Sequence, residues 1–247
     1  MKKLVSLVIG KYRKFRRIFY YLCYKAGVRP TIPGKVINRV PVSENNEPLV
    51  DIKNIEKEAK ARLFFFGGRL EQETQVFLRN SAAERLVNAA KSLPEGVFLL
   101  VYDAFRSLET QQKLWERKYK EMKERYPNEP EDIIVKKTKA FAADPRFGYG
   151  GHQTGGAVDV ALCDENGRQL NMGTAYSEDD TTKTPTNKAP NPESRKNREL
   201  LLDAMCGQGF VNYPNEWWHF CYGDRMWAAY LNKSECFYGM RKEAEAK

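Results

Sequence analysis

Two short segments contain every histidine of the chain. His152 and Asp159 lie seven positions apart across a glycine-rich stretch, and His219 follows Glu216 by three positions. Neutral imidazole and carboxylate are good zinc ligands, and a catalytic zinc site needs three protein ligands, an open position for water and a base. The segments supply three candidate ligands and one further carboxylate. A lone histidine is more often an ordinary surface or core residue, but these two motifs use up both histidines, which favours a metal site over coincidence.

The segment from Glu216 to His219 has a geometric difficulty. On a regular strand, residues three apart point to opposite faces of the sheet. Both side chains can therefore reach one metal site only if the segment starts in a turn or a bulge, which Pro214 permits. Trp217 and Trp218, between them, more often form core or pocket wall than catalytic groups.

Other side chains leave alternatives open. Asp159 inside a strand needs a partner, and a metal is favoured over an arginine or a helix cap. Arg106 follows a buried run at a strand end, where a cation can stabilise an oxyanion, although a surface salt bridge is the more common role. Cys163 and Cys221 alternate in phase with Asp159 and His219, so a closed His/Cys structural zinc site is a rival. It ranks lower because no two cysteines stand at ligand spacing.

The composition is that of one globular domain with a basic tail. A chain of 247 residues with 42% hydrophobic residues can bury one sizeable core. Residues 1–30 contain nine Lys or Arg and no acidic residue. The rest of the chain therefore contains 32 of the 41 basic residues and all 32 acidic residues, so its formal charge is balanced. The balanced body gives no reason to expect nucleic-acid binding. Five cysteines at irregular spacing favour free thiols and a reducing compartment.

Residues 1–30 are predicted to form a basic amphipathic segment, since apolar residues recur three or four positions apart among lysines and arginines. Such a helix can contact an anionic membrane surface, act as a degenerate export signal, or pack on its own domain. Neither apolar run approaches the ~20 residues needed to span a bilayer. We expect a cytoplasmic protein, with or without membrane association, and export to the periplasm or cell envelope as the alternative.

The remaining pattern predicts an α+β fold with a central antiparallel sheet flanked by helices, because helices and strands are segregated rather than alternating. Residues 31–48 are expected to be a linker or lead-in to one domain over residues 49–247. The predicted strands are 97–102, 157–162, 210–213 and 217–222. The predicted helices are one opened by a capping box at Ser81, one from Ser107 to about 126, 131–143, 195–208, and one capped by Asp224; residues 173–192 are predicted to form a long loop.

Taken together, the motifs resemble the zinc D-alanyl-D-alanine dipeptidases of the vancomycin-resistance type. Residues 152–159 (HQTGGAVD) are similar to the HxxGxAxD signature of that family, and residues 216–219 match its EWWH segment. Residues 101–106 resemble its D-x-Y-R segment and residues 170–174 its MG segment. The likeness runs in order from about Leu78 to Gly239 and leaves out the basic tail.

The resemblance implies a Hedgehog/DD-peptidase-like zinc peptidase fold, with one Zn²⁺ per chain held by His152, Asp159 and His219. It implies that Glu216 is the base that deprotonates the attacking water and then protonates the leaving amine. It also implies that Arg106 binds the substrate and stabilises the tetrahedral oxyanion. The implied reaction hydrolyses the small dipeptide D-alanyl-D-alanine to two D-alanines in cell-wall precursor or turnover metabolism.

The chain departs from the family pattern at Gly150, where the family often has a serine, and at Ser107, where it has a proline. Near Ser177 this chain also lacks the family aspartate that holds the substrate's ammonium group. These changes weaken the expected preference for a free dipeptide. A D,D-carboxypeptidase or endopeptidase on peptidoglycan stem peptides is therefore the alternative. The alternative of another class is a non-catalytic, zinc-stabilised binding module, but such a module has no reason to keep both Glu216 and Arg106. The sequence predicts no oligomeric state.

Overall fold

A computed structural model describes residues 19, 22–23, 28, 30–59, 61–66, 76–139, 141–142, 144–145, 150–176 and 184–241. Nearly all of the amphipathic segment predicted for residues 1–30 lies outside these residues, and so does Ser177. Among the helices of the described part, none is long and apolar enough to cross a membrane.

Helices and strands follow one another along the described residues without strict alternation. In chain order they are α1 (Gly34–Ile37), β1 (Leu49–Asp51), α2 (Ile52–Glu58), β2 (Leu63–Phe65), β3 (Phe77–Arg79), α3 (Asn80–Lys91), β4 (Phe98–Asp103), α4 (Leu108–Arg125), α5 (Glu131–Thr138), β5 (Ala157–Cys163), α6 (Pro192–Gly207), β6 (Val211–Asn212), β7 (His219–Cys221) and α7 (Arg225–Tyr230).

A five-stranded sheet in the order β2-β4-β5-β7-β6 forms the centre of the fold. Strands β4, β5, β7 and β6 pair antiparallel, whereas β2 pairs with β4 in parallel. A parallel pair needs a crossover connection, which in this chain runs through β3 and α3. The predicted α+β class is confirmed. The predicted antiparallel sheet describes four of the strands, and β2 adds a parallel edge.

Strand β5 is buried along its whole length because it lies at the middle of this sheet. From Val158 onward, its apolar side chains join one hydrophobic core with α3 and α6. Burial on both faces explains why the strand is an almost continuous apolar run. Asp159 is the only charged residue in it, and a buried carboxylate is costly unless it is paired.

The helix starts test the capping predictions. Ser107 and Asp224 cap α4 and α7 as predicted, each accepting a hydrogen bond from a backbone N–H three residues later. The prediction of a capping box at Ser81 is wrong. Helix α3 begins one residue earlier, at Asn80, and the Ser81 N–H donates instead to the carboxylate of Glu47. A distant carboxylate has therefore replaced the local cap.

Two other helices differ from their predicted bounds. Helix α5 ends at Thr138, short of the predicted 143, and the Thr138 hydroxyl donates to the carbonyl of Ile134. Helix α6 begins at Pro192, three residues before the predicted start. Asn191 and Ser194 form a capping box at this end, and proline is favoured in a first turn because its missing N–H leaves no hydrogen bond unmade.

Arg79, at the end of β3, is fully buried and joins distant parts of the chain. Its guanidinium donates to the carboxylate of Glu44 and to the carbonyl oxygens of Glu47, Thr154 and Gly239. These bonds tie the turn at Thr154 to residues 44–47, which precede the domain, and to Gly239 near its end. Because that turn follows His152 directly, Arg79 supports the position of a candidate ligand.

Residues 31–48 pack on the domain rather than standing apart from it. Ile32 is buried, and its N–H donates to the hydroxyl of Tyr230 in α7. Val42 forms a β-bridge with Cys236. All five cysteines are free thiols, in agreement with their irregular spacing.

Replacing Gly156 with alanine is expected to destabilise the fold by about 1–3 kcal/mol through overpacking. A Cβ there would overlap the backbone carbonyl oxygen of Tyr222 and lie 2.9 Å from Cδ2 of Tyr238. Urea unfolding of the metal-free variant measures the loss. Gly207→Ala is the matched control, because nothing lies within 4 Å of a Cβ at that position. Equal stability of the two variants would contradict this packing account.

Candidate metal centre

Three neighbouring strands bring acidic and imidazole side chains into one row. In the registers of the sheet, Asp103 of β4 pairs with Asp159 of β5, and Asp159 pairs with His219 of β7. Residues directly opposite each other on paired strands point to the same face. An irregularity between Val101 and Asp103 sets this register at the end of β4. The sheet therefore supplies two of the three predicted ligands from adjacent strands.

His152, Asp159 and His219 form one buried group whose possible ligand atoms all lie within 4.8 Å of one another. Asp159 Oδ1 lies 3.4 Å from Nε2 of His152 and 2.8 Å from Nδ1 of His219. Burial would raise the pKa of Asp159, but the two histidines outweigh burial and hold it well below its usual range. The carboxylate is therefore charged and faces both imidazoles with the same oxygen.

A glycine-bearing turn carries His152 into this group. The residue begins a short 3₁₀ helix, His152–Thr154, which Gly155 ends in the left-handed conformation with φ 72°. Nδ1 of His152 lies 2.7 Å from the carbonyl oxygen of Ala104. A carbonyl at Nδ1 leaves Nε2 free for a metal, which is how histidine ligands are commonly oriented. At Gly151 a Cβ would meet Asp224 Oδ2 at 2.6 Å, so the turn fits only without a side chain there.

The geometric difficulty of the Glu216 segment is resolved by a short β7. The strand covers only His219–Cys221, and residues 214–215 and 217–218 are turns. The side-chain amide of Asn212 donates to the carbonyl oxygens of Glu216 and His219, both at 3.0 Å. Asn212 is fully buried, and its Oδ1 accepts from Thr186. This amide therefore stabilises the turn that precedes β7. Because Glu216 lies in that turn and not in the strand, the rule that residues three apart point to opposite faces does not apply to Glu216 and His219.

The carboxylate of Glu216 lies within electrostatic reach of the candidate ligands. Burial raises its pKa, the interaction with His219 lowers it, and the negative charge of Asp159 raises it again. Arg106 also acts to lower it. The net shift is upward, and a carboxylate with a raised pKa is a stronger base once it is deprotonated.

Arg106 lies at the same end of β4 in a fixed orientation. Its Nε donates to Asp103 Oδ2 at 3.0 Å, a second guanidinium nitrogen pairs with the same oxygen, and a third donates to Gln111 Oε1 at 2.7 Å. Its backbone N–H donates to the carbonyl of His152. Burial lowers the pKa of Arg106, but the neighbouring carboxylates, Asp103 first, outweigh burial and raise that pKa above its usual value. The cation therefore stays charged beside the group of candidate ligands.

The cysteines do not belong to this centre. Cys163 Sγ donates to the carbonyl of Phe98, and Cys221 Sγ donates to that of Val211. In the described part of the chain, the group suited to hold a metal contains no cysteine. The rival His/Cys site is thus not what the fold assembles.

Four neighbours of the centre were not singled out from the sequence. Asp103 stands in the segment quoted for Arg106, and a carboxylate three residues before an arginine is a usable signal. No such signal marks the other three, because their contacts depend on the turn before β7 and on the register of the central sheet. These are Gln111, Asn212 and Tyr176.

A family model described as D-ala-D-ala dipeptidase matches residues 50–238. The chain belongs to this family. It is therefore a peptidase, and the match covers the sheet, the buried histidine–aspartate group and the segment that carries Glu216. The basic tail lies outside the match.

Individual relatives agree with the family. A D-alanyl-D-alanine dipeptidase of Synechocystis is 26% identical over 230 residues, which cover 81% of this chain and 92% of the relative. A D-alanyl-D-alanine dipeptidase of Escherichia coli is 30% identical over 158 residues, covering 62% of this chain and 70% of the relative. Among solved structures, the LD-carboxypeptidase LdcB overlaps 81% of this chain and 75% of its own at 21% identity and a TM-score of 0.42.

Proposed function

We propose that this protein hydrolyses D-alanyl-D-alanine to two D-alanines in a zinc-dependent reaction. The observation that carries the proposal is the buried group of His152, Asp159 and His219, with ligand atoms within 4.8 Å of one another in a member of this family. The relatives from Synechocystis and Escherichia coli carry the name of the same activity. We assign the activity to the domain over residues 49–247.

The chemistry of the donor set fits zinc. Two imidazoles and one carboxylate are a frequent ligand set of catalytic zinc sites, which keep a fourth position for water or substrate. Asp159 brings one negative charge to the group, and His152 already has its Nδ1 on a carbonyl. We propose that these two residues and His219 hold one Zn²⁺ per chain. A zinc ion held there would polarise the scissile carbonyl and acidify a water molecule.

The chain's own residues supply the rest of the chemistry. Glu216 takes the proton of the attacking water and returns it to the amine of the departing D-alanine. Its position in a turn next to His219, with a raised pKa, suits that role. Arg106, held by Asp103 and Gln111, lies ready to stabilise the negative charge that develops on the carbonyl oxygen.

The test is release of D-alanine from D-alanyl-D-alanine by the zinc-loaded protein, with L-alanyl-L-alanine and a stem peptide ending in D-alanyl-D-alanine alongside. We expect turnover of the free D,D-dipeptide that is abolished by Glu216→Ala. Cleavage of the stem peptide alone would replace the dipeptidase with a D,D-carboxypeptidase or endopeptidase. If zinc binds and no substrate is cleaved, the non-catalytic binding module becomes the better account.

Arg106→Lys is expected to lower kcat/KM for the dipeptide by about 10²- to 10³-fold, as the loss of an oxyanion donor does elsewhere. Lysine keeps the charge but lacks the planar fork that pairs with Asp103 and Gln111 together. Steady-state kinetics with bound zinc measure the effect. The control is Arg195→Lys on the exposed surface of α6. Wild-type kcat/KM in the Arg106 variant would remove Arg106 from the reaction.

Zinc affinity is expected to fall with decreasing pH by about tenfold per unit, because metal must displace a proton from His219. Burial would lower the pKa of His219, but the hydrogen bond and charge of Asp159 raise it to about 9 in the metal-free protein. The imidazole is therefore protonated below pH 9 and free to bind above it. Competition with a coloured chelator between pH 7 and pH 10 measures the slope, and a flat profile below pH 9 would contradict this expectation.

A further inference from the structure

The two oxygens of Asp159 have different partners. Oδ1 faces both imidazoles of the candidate metal centre. Oδ2 accepts a hydrogen bond of 3.1 Å from the hydroxyl of Tyr176. A carboxylate with one oxygen held in this way cannot turn freely about its Cβ–Cγ bond. The oxygen available to a metal is therefore Oδ1.

The position of the Tyr176 hydroxyl is fixed by packing of its ring. The ring stacks on Tyr102 with centroids 4.3 Å apart and an interplanar angle of 3°. Trp218 packs against it in a T-shaped arrangement, with ring centroids 5.6 Å apart and an interplanar angle of 77°. Both neighbours are 6% exposed, and they precede Asp103 and His219 directly in sequence. The phenol oxygen is thus located by the same strands that locate the site.

The segment that leads to Tyr176 is anchored as well. The carbonyl of Met172 accepts from Nε of Arg198, a buried arginine of α6, at 2.7 Å. The hydroxyl of Thr174 accepts from Nε1 of Trp217 at 2.8 Å. Two attachments within four residues make the segment a support for the hydroxyl rather than a loose loop.

We propose that Tyr176 is a positioning residue for the metal ligand Asp159. Its hydroxyl holds Oδ2 back, so that the carboxylate offers one oxygen to the metal and leaves a coordination position for water and substrate. This inference rests on the proposed function, because it assumes that Asp159 binds the zinc ion assigned there. Its own consequence is a zinc affinity that depends on the phenol hydroxyl of Tyr176, which is not one of the three proposed ligands.

The test compares Tyr176→Phe with Tyr102→Phe in the full chain. Each variant removes one hydroxyl from the same ring stack, and the Tyr102 hydroxyl bonds to Gln169 rather than to Asp159. Zinc Kd is measured by chelator competition, without substrate. The visible absorption of bound Co²⁺, which depends on coordination number, is recorded for both variants and the wild type, and urea unfolding compares the metal-free proteins.

We expect Tyr176→Phe to raise the zinc Kd by about 10- to 100-fold, as changes in the partners of metal ligands do. The Co²⁺ spectrum should change in this variant alone, and Tyr102→Phe should keep the wild-type affinity. Wild-type affinity in Tyr176→Phe, or an equal loss in both variants, would overturn the inference.

Failure of the proposed function can be told apart from failure of this inference. A wild-type protein that binds zinc but leaves D-alanyl-D-alanine intact removes the dipeptidase, while the difference between the two tyrosine variants still decides the role of Tyr176. A wild-type protein that binds no zinc overturns both.

Discussion

Replacing Glu216 with glutamine is expected to lower kcat for D-alanyl-D-alanine by about 10²- to 10⁴-fold, the usual effect of losing a positioned general base. Glutamine keeps the size of the side chain, but its neutral amide is not basic enough to take a proton from water. Zinc binding should survive the change, because Glu216 is outside the group of His152, Asp159 and His219. KM should change little, since the residue acts on the proton rather than on substrate binding.

The measurement is a steady-state rate beside a zinc determination on the same sample. Glu199→Gln is the matched control, because that carboxylate is exposed on α6, away from the centre. A Glu216 variant with full zinc and wild-type kcat would exclude it as the base. A variant that loses zinc would show instead that Glu216 belongs to the ligand set.

The grouping of His152, Asp159 and His219 was largely predictable because it uses scarce residues. Both histidines fall in two short motifs, and Asp159 stands alone in an apolar strand, so their types and spacing already favoured a metal. The apolar run of β5 and the caps at Ser107 and Asp224 are local signals, and these also held.

What the sequence did not predict depends on contacts between distant residues. The Ser81 box was a valid local signal, but a carboxylate from another segment took its N–H. The turn that carries Glu216 and leads into His219 is held by the buried amide of Asn212, and no local pattern marks an asparagine for that task. The parallel edge at β2 likewise reflects the path of the chain between two strands.

Replacing His219 with alanine is expected to remove zinc and turnover together. Two ligands remain, His152 and Asp159, whereas a catalytic zinc site uses three. A change in the hydrogen-bond partner of a ligand, such as Tyr176→Phe, lowers metal affinity by about 10- to 100-fold. The loss of zinc affinity in His219→Ala should be larger than that. Metal content after gel filtration and zinc Kd by competition measure the first effect, and D-alanine release measures the second.

The combination of variants separates binding from chemistry. His219→Ala should lose zinc, and Glu216→Gln should keep it, although both lose turnover. His219 is buried against Asp159, so removing it also takes away a 2.8 Å hydrogen bond and leaves the carboxylate with fewer partners. Urea unfolding of metal-free samples measures that separate cost, since zinc cannot contribute there. If His219→Ala retained zinc with wild-type affinity while folding normally, the metal would have to bind without this imidazole, and the three-ligand centre would be wrong.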